Sequence, residues 1–123
     1  MHTRQWIVTA GAAQARVFER DHPAQPLVLL STLRPRARPV HRRFAPQIAR
    51  HLDEACRRRE YDALWLVAPT PFLDELKHAL SEAVRRRLAG TVDADAVALH
   101  ARQIDQRLRG ASAAPSASGR LDG

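Results

Sequence analysis

The chain has 123 residues, 45% of them hydrophobic and 27% charged, with a formal net charge of +7. That length suits one globular domain burying about two thirds of its unfolded surface, and no stretch is apolar for long enough to cross a membrane as a helix. The single cysteine, Cys56, excludes an intramolecular disulfide, so nothing points to secretion and the expected location is cytoplasmic.

Residues 5–9 read as a strand, residues 11–13 as a tight turn, and residues 15–19 as a second strand with Val17 and Glu19 on one face and Arg16 and Phe18 on the other. Residues 6–13, behind Arg4, have the outline of a weak signal-peptide core, but the pattern runs straight on into strand sequence and is read as part of the domain. Asp21, Pro23 and Pro26 break the chain into a loop. A third strand begins at Leu27-Val28-Leu29-Leu30 and extends toward Leu33, which gives an antiparallel meander.

A crossover helix is expected over residues 43–59, because Phe44, Ile48, Leu52 and Cys56 recur every fourth residue and Ala45, Ala49 and Ala55 widen the stripe. Pro46 falls in its first turn, where a missing N–H is tolerated. Leu64-Trp65-Leu66-Val67-Ala68, five apolar residues between Tyr61-Asp62 and Pro69-Thr70-Pro71, suit a central strand buried on both sides. A helix follows over residues 71–80, with Phe72, Leu73, Leu76 and Leu80 on one face, and Ser81 caps a further turn that carries Arg85-Arg86-Arg87. Residues 90–94 suit a short edge strand, and Asp95 is the expected N-cap of a last helix bearing Val97, Ala101, Ile104 and Leu108. The fold class is therefore α/β: one domain over residues 1–109, with a mixed sheet of four to five strands and helices packed on it. Residues 110–123 are low-complexity and read as a disordered tail.

No catalytic constellation stands out. The six histidines lack ligand spacing, and one cysteine cannot build a structural zinc site, so no metal and no cofactor are expected. Gly-x-Ser-x-Gly, Walker and Gly-x-Gly-x-x-Gly motifs are absent from the sequence. Cys56 precedes three arginines that would favour a thiolate, yet its place on the apolar stripe reads as a core thiol. Asp53-Glu54 and Asp74-Glu75 read as solvated acids on outer helix faces.

The basic residues carry more. Nineteen of the twenty are arginine, which GC-rich codon usage explains as to type but not as to the excess over thirteen acids. Arg34, Arg36, Arg38, Arg42 and Arg43 fall within ten acid-free residues that Pro35 and Pro39 hold extended. Arg43, Arg50 and Arg57 are seven apart and nearly in line on the crossover helix, so loop and helix form one candidate RNA-binding stripe. Aromatic residues are few, so recognition is expected through backbone and shape, without DNA sequence readout.

Several segments together resemble the bacterial host attachment protein family, the proteins required for attachment to host cells, which is distantly similar to the archaeo-eukaryotic release factor domain. The segments are Trp6-Ile7-Val8-Thr9-Ala10, residues 12–19, Arg43-Phe44-Ala45 with Ile48-Ala49 and Leu52, and above all residues 61–69 with Pro71-Phe72-Leu73, Leu76 and Leu80. The resemblance covers residues 5–109 and implies a mixed-sheet α/β domain, a bacterial source and a link to translation. Release factors act through a Gly-Gly-Gln loop; this chain has no such tripeptide, and Gly11-Ala12-Ala13-Gln14 only echoes it, so no catalytic residue is carried over. The expectation is a non-enzymatic basic domain that binds RNA or the ribosome, with no membrane partner. The alternative is an intracellular protein-interaction module that serves attachment indirectly.

Overall fold

A computed structural model describes residues 4–11, 13–35 and 44–113, with side chains described as far as residue 110. Among the described residues, alternating apolar runs and four-residue periodicities resolve into nine elements: β1 (Gln5–Ala10), β2 (Ala15–Arg20), β3 (Val28–Leu33), α1 (Phe44–Arg57), β4 (Ala63–Ala68), α2 (Thr70–Ala79), α3 (Glu82–Arg86), β5 (Leu88–Asp93) and α4 (Ala101–Ala113). The five strands form one mixed sheet in the order β3-β2-β1-β4-β5. The meander β1-β2-β3 is antiparallel, whereas β1, β4 and β5 are mutually parallel. The apolar run of β4 has a strand on each side, as its composition requires, but β1 holds the middle of the sheet.

Period-two alternation splits the core into two layers. Trp6 and Val8 of β1, Val17 of β2, and Leu64 and Leu66 of β4 face Ile48, Leu52 and Cys56 of α1 and Leu73 and Leu76 of α2. Ile7, Phe18 and Val67 point the other way, onto Ile104 and Leu108 of α4. Each fully buried aliphatic side chain contributes about 1.5–3 kcal/mol, so the four-residue stripe of α1 is what docks that helix. A buried ion pair also ties α4 to the sheet: the Arg20 guanidinium reaches Asp105 Oδ1 at 2.6 Å and donates from Nε to Gln5 Oε1 at 2.8 Å.

Several boundaries differ from the sequence-based expectation, among them β5, which begins at Leu88 and not at Gly90. α4 begins at Ala101 instead of after Asp95. After β5 the chain buries Ala94 and Ala96 in the second layer and turns through Leu99, whose N–H donates to Ala96 O. His100 then takes the cap position, its backbone N–H donating to Gln103 Oε1 at 3.0 Å, half of a capping box. α4 also continues past Gly110 to Ala113. α1 stops at Arg57, and the next residues close it: Arg59 N–H donates to Cys56 O and Glu60 N–H to Ala55 O, with Arg59 at φ 58°. This is a Schellman closure with arginine where glycine is usual. Gly90 of β5, by contrast, is demanded by packing: a Cβ there would sit 2.6 Å from Trp65 Cζ3.

Candidate nucleic-acid interface

Of the seven expected contact residues, Arg36, Arg38, Arg42 and Arg43 lie outside the described residues. Arg34 is exposed just beyond β3, and its carbonyl accepts from Gln47 Nε2 at 2.7 Å, which joins the strand end to α1. Arg50 and Arg57 do share the outer face of α1, with side chains 79% and 76% exposed. Each has an acid one turn away, Arg50 facing Glu54 at 4.0 Å and Arg57 facing Asp53 at 3.0 Å. Exposed pairs of this kind contribute little to stability, about 0.3–0.5 kcal/mol. They do matter to the field, because two arginines against two carboxylates leave this stretch of helix near neutral.

Asp53 is not the freely solvated acid that the sequence suggested. Its side chain is only 22% exposed, and Oδ1 accepts from Ser81 Oγ at 2.8 Å while Oδ2 holds Arg57. Ser81 in turn caps α3 by accepting from Val84 N–H. One acid on α1 therefore fixes the start of α3.

The end of α3 is fixed by a second set of contacts. Leu64 N–H donates to Arg87 O at 2.9 Å, and Arg87 Nε donates to Cys56 Sγ at 3.1 Å. Cys56 is a buried core thiol, 5% exposed. Tyr61, fully buried beside it, donates its hydroxyl to Leu52 O at 2.9 Å. Burial pushes the Tyr61 phenol well above its ordinary range, and the neighbouring Cys56 adds to the effect.

These contacts bring Arg57-Arg58-Arg59, at the end of α1, to the same sheet edge as Arg85-Arg86-Arg87, at the end of α3. Arg57 and Arg58 have acids near them, Asp53 and Glu60 respectively. For Arg59, Arg85, Arg86 and Arg87 no carboxylate among the described residues stands within ion-pair distance. Arg59, Arg85 and Arg86 are exposed and Arg87 is half-buried. This second cluster was absent from the sequence-based stripe. The signal for it was two Arg-Arg-Arg tripeptides, each ending a helix that leads into a strand. Once β4 and β5 are parallel neighbours, their starting ends share an edge, and the backbone of both tripeptides lies at that end of the sheet.

Comparison with known families settles where the chain belongs. The family described as "Protein required for attachment to host cells" matches residues 33–108, which span α1, β4, α2, α3, β5 and most of α4. The chain is a member of the host-attachment family. The whole arginine-bearing edge and residues 34–43 fall inside the matched region.

Solved structures with the same fold include an archaeal protein (TM-score 0.56), Pelota from Archaeoglobus fulgidus (TM-score 0.54) and an archaeal translation termination factor (TM-score 0.55). Each is 16% identical to this chain, and 89% of this chain is covered in each alignment. The host-attachment chain spans little more than a third of those proteins, 37%, 35% and 38% of their lengths, so the likeness is one of fold. No curated protein matches the sequence. Among the described residues no three histidine, cysteine or acidic side chains gather as metal ligands, and no helix is long and apolar enough to cross a membrane.

Proposed function

We propose that this host-attachment domain is a non-enzymatic, RNA-binding module of the bacterial cytoplasm that acts on the translation machinery. The observation that carries the reading is the group Arg59, Arg85, Arg86 and Arg87, gathered at one sheet edge without carboxylate partners. Guanidinium groups without a neutralising carboxylate favour phosphate because their forked donors match its oxygens, and binding releases counterions. The stripe of Arg34, Arg36, Arg38, Arg42, Arg43, Arg50 and Arg57 would extend the contact, with Arg50 and Arg57 contributing less because Glu54 and Asp53 stand beside them. Fold likeness to a translation termination factor supports the choice of RNA over other polyanions. The test is titration of the purified protein with structured RNA from low to high salt. Tight binding at low salt that weakens steeply with salt is expected; no binding at low salt overturns the proposal.

One feature favours a second reading, a protein-interaction module serving attachment from inside the cell. Val28, Leu29 and Leu30 of the edge strand β3 are 59%, 49% and 45% exposed, and the strand Val28–Leu33 bears no charge. Uncharged exposed edges offer themselves for strand pairing. A native pull-down that yields envelope or regulatory proteins in place of ribosomal components would move the assignment to this reading.

A further inference from the structure

We propose that the cleft where α2 meets α3 is a binding site for a small phosphate monoester carrying an apolar or aromatic body. This site shares Arg85 with the proposed RNA surface, but its ligand is a small molecule and its test reads Lys77, which the RNA proposal does not use. The cleft has a volume of about 390 Å³ and is lined by Lys77, His78, Leu80, Arg85 and Leu88. That volume lies within the range of small-ligand sites.

Its shape comes from the sharp corner between the two helices. Leu80 leaves α2 in an extended conformation and Ser81 enters α3 likewise, with only those two residues between Ala79 and Glu82. Arg85 folds back across the corner, its NH2 donating to Lys77 O at 3.2 Å and His78 O at 3.3 Å. Two consequences follow. The last carbonyls of α2, the negative end of that helix, are masked and no longer repel an anion. The guanidinium is also held in one orientation before any ligand arrives, so little further side-chain freedom is lost on binding. His78 is oriented in the same way: its Nδ1 lies 2.9 Å from Asp74 O and donates to it, which leaves Nε2 toward solvent.

The lining holds two permanent positive charges, from Lys77 and Arg85, and no carboxylate. A carboxylate ligand would balance one of them, whereas a phosphate monoester carries about −1.5 to −2 at pH 7 and balances both. Leu80 and Leu88 form the apolar wall, Leu80 buried and Leu88 half-buried. Inorganic phosphate would leave that wall wet, so an organic body beside the phosphate gains from covering it.

Lys77 is the only lysine in the sequence, which gives the site its own reporter. The full chain is treated with an amine-acetylating reagent, and modification at Lys77 is followed by peptide mass spectrometry in the presence of phenyl phosphate, inorganic phosphate or benzoate. Phenyl phosphate is expected to protect Lys77 at concentrations about tenfold lower than either control, through the covered apolar group relative to inorganic phosphate and through the extra charge relative to benzoate. Arg85→Gln is expected to erase the advantage over benzoate. Amide chemical-shift changes on the unaltered protein, expected to map to residues 77–88, keep the test valid if the variant fails to fold. Equal protection by all three probes, protection by none, or shift changes centred elsewhere overturns the site.

Discussion

Replacing Arg59 by glycine separates what the residue does for stability from what it does for binding. Arg59 occupies the left-handed region at φ 58°, where it closes α1 through its own N–H and that of Glu60. A side chain with a Cβ pays about 1–2 kcal/mol there, and glycine does not. Glycine brings back part of the difference through its freer unfolded chain, about 0.5–1 kcal/mol. The net expectation for Arg59→Gly is a gain of about 0.5–1 kcal/mol. With a urea m-value of about 1–3 kcal/mol per molar, the unfolding midpoint should rise by roughly 0.2–1 M. Fluorescence of the buried Trp6 and half-buried Trp65 reports the transition. In the same variant the dependence of log K for RNA on log salt should become shallower by about 0.7–0.9, one phosphate contact. An arginine that costs stability and serves a ligand must show both changes. A midpoint that stays or falls refutes the backbone argument, and an unchanged salt slope refutes the role of Arg59 in binding.

Two further outcomes follow from the buried polar groups. Tyr61 is the one tyrosine in the chain, and burial raises its folded-state pKa above the ordinary 10.0, so its contribution to stability is intact below pH 10 and declines as alkali ionises the unfolded chain first. Urea midpoints measured from pH 8 upward should fall from about pH 10, and Tyr61→Phe should flatten that fall while costing about 1 kcal/mol at neutral pH for the lost bond to Leu52 O; an identical alkaline slope in the variant contradicts the assignment. Asp105→Asn leaves the Arg20 guanidinium, 6% exposed, without its counter-charge and should cost about 3 kcal/mol, read as a lowered urea midpoint with early hydrogen exchange in α4. A loss below about 1 kcal/mol would mean that the pair is not what anchors the helix.

Elements with a strong local pattern were legible from sequence. The Phe44-Ile48-Leu52-Cys56 stripe marked α1, the five-residue apolar run marked β4, and Ser81 does cap α3. What failed were features set by contacts distant along the chain. Asp95 looks like a helix cap, but the chain must first bury Ala94 and Ala96, and that need displaces the cap to His100. Asp53 looks solvated until Ser81, on another helix, is brought against it. For the site, periodicity correctly put Arg50 and Arg57 on one exposed face but said nothing of the i,i+4 acids as neutralising partners. The meeting of the two arginine tripeptides depends on β4 and β5 being parallel neighbours, and strand order has no local signature.

The central claim is that the arginines without carboxylate partners at the β4-β5 starting edge, more than the acid-paired ones along α1, bind the phosphates. The decisive measurement compares the salt dependence of structured-RNA binding for the Arg59→Gln, Arg85→Gln, Arg86→Gln triple variant with that of the Arg34→Gln, Arg50→Gln, Arg57→Gln triple variant. Arg87 is left in place because its side chain lies against Cys56. The account predicts that the first variant loses about two units or more of salt slope, at about 0.7–0.9 per contact, and that the second loses less than half as much. Equal losses in the two variants, or a larger loss in the second, would contradict it.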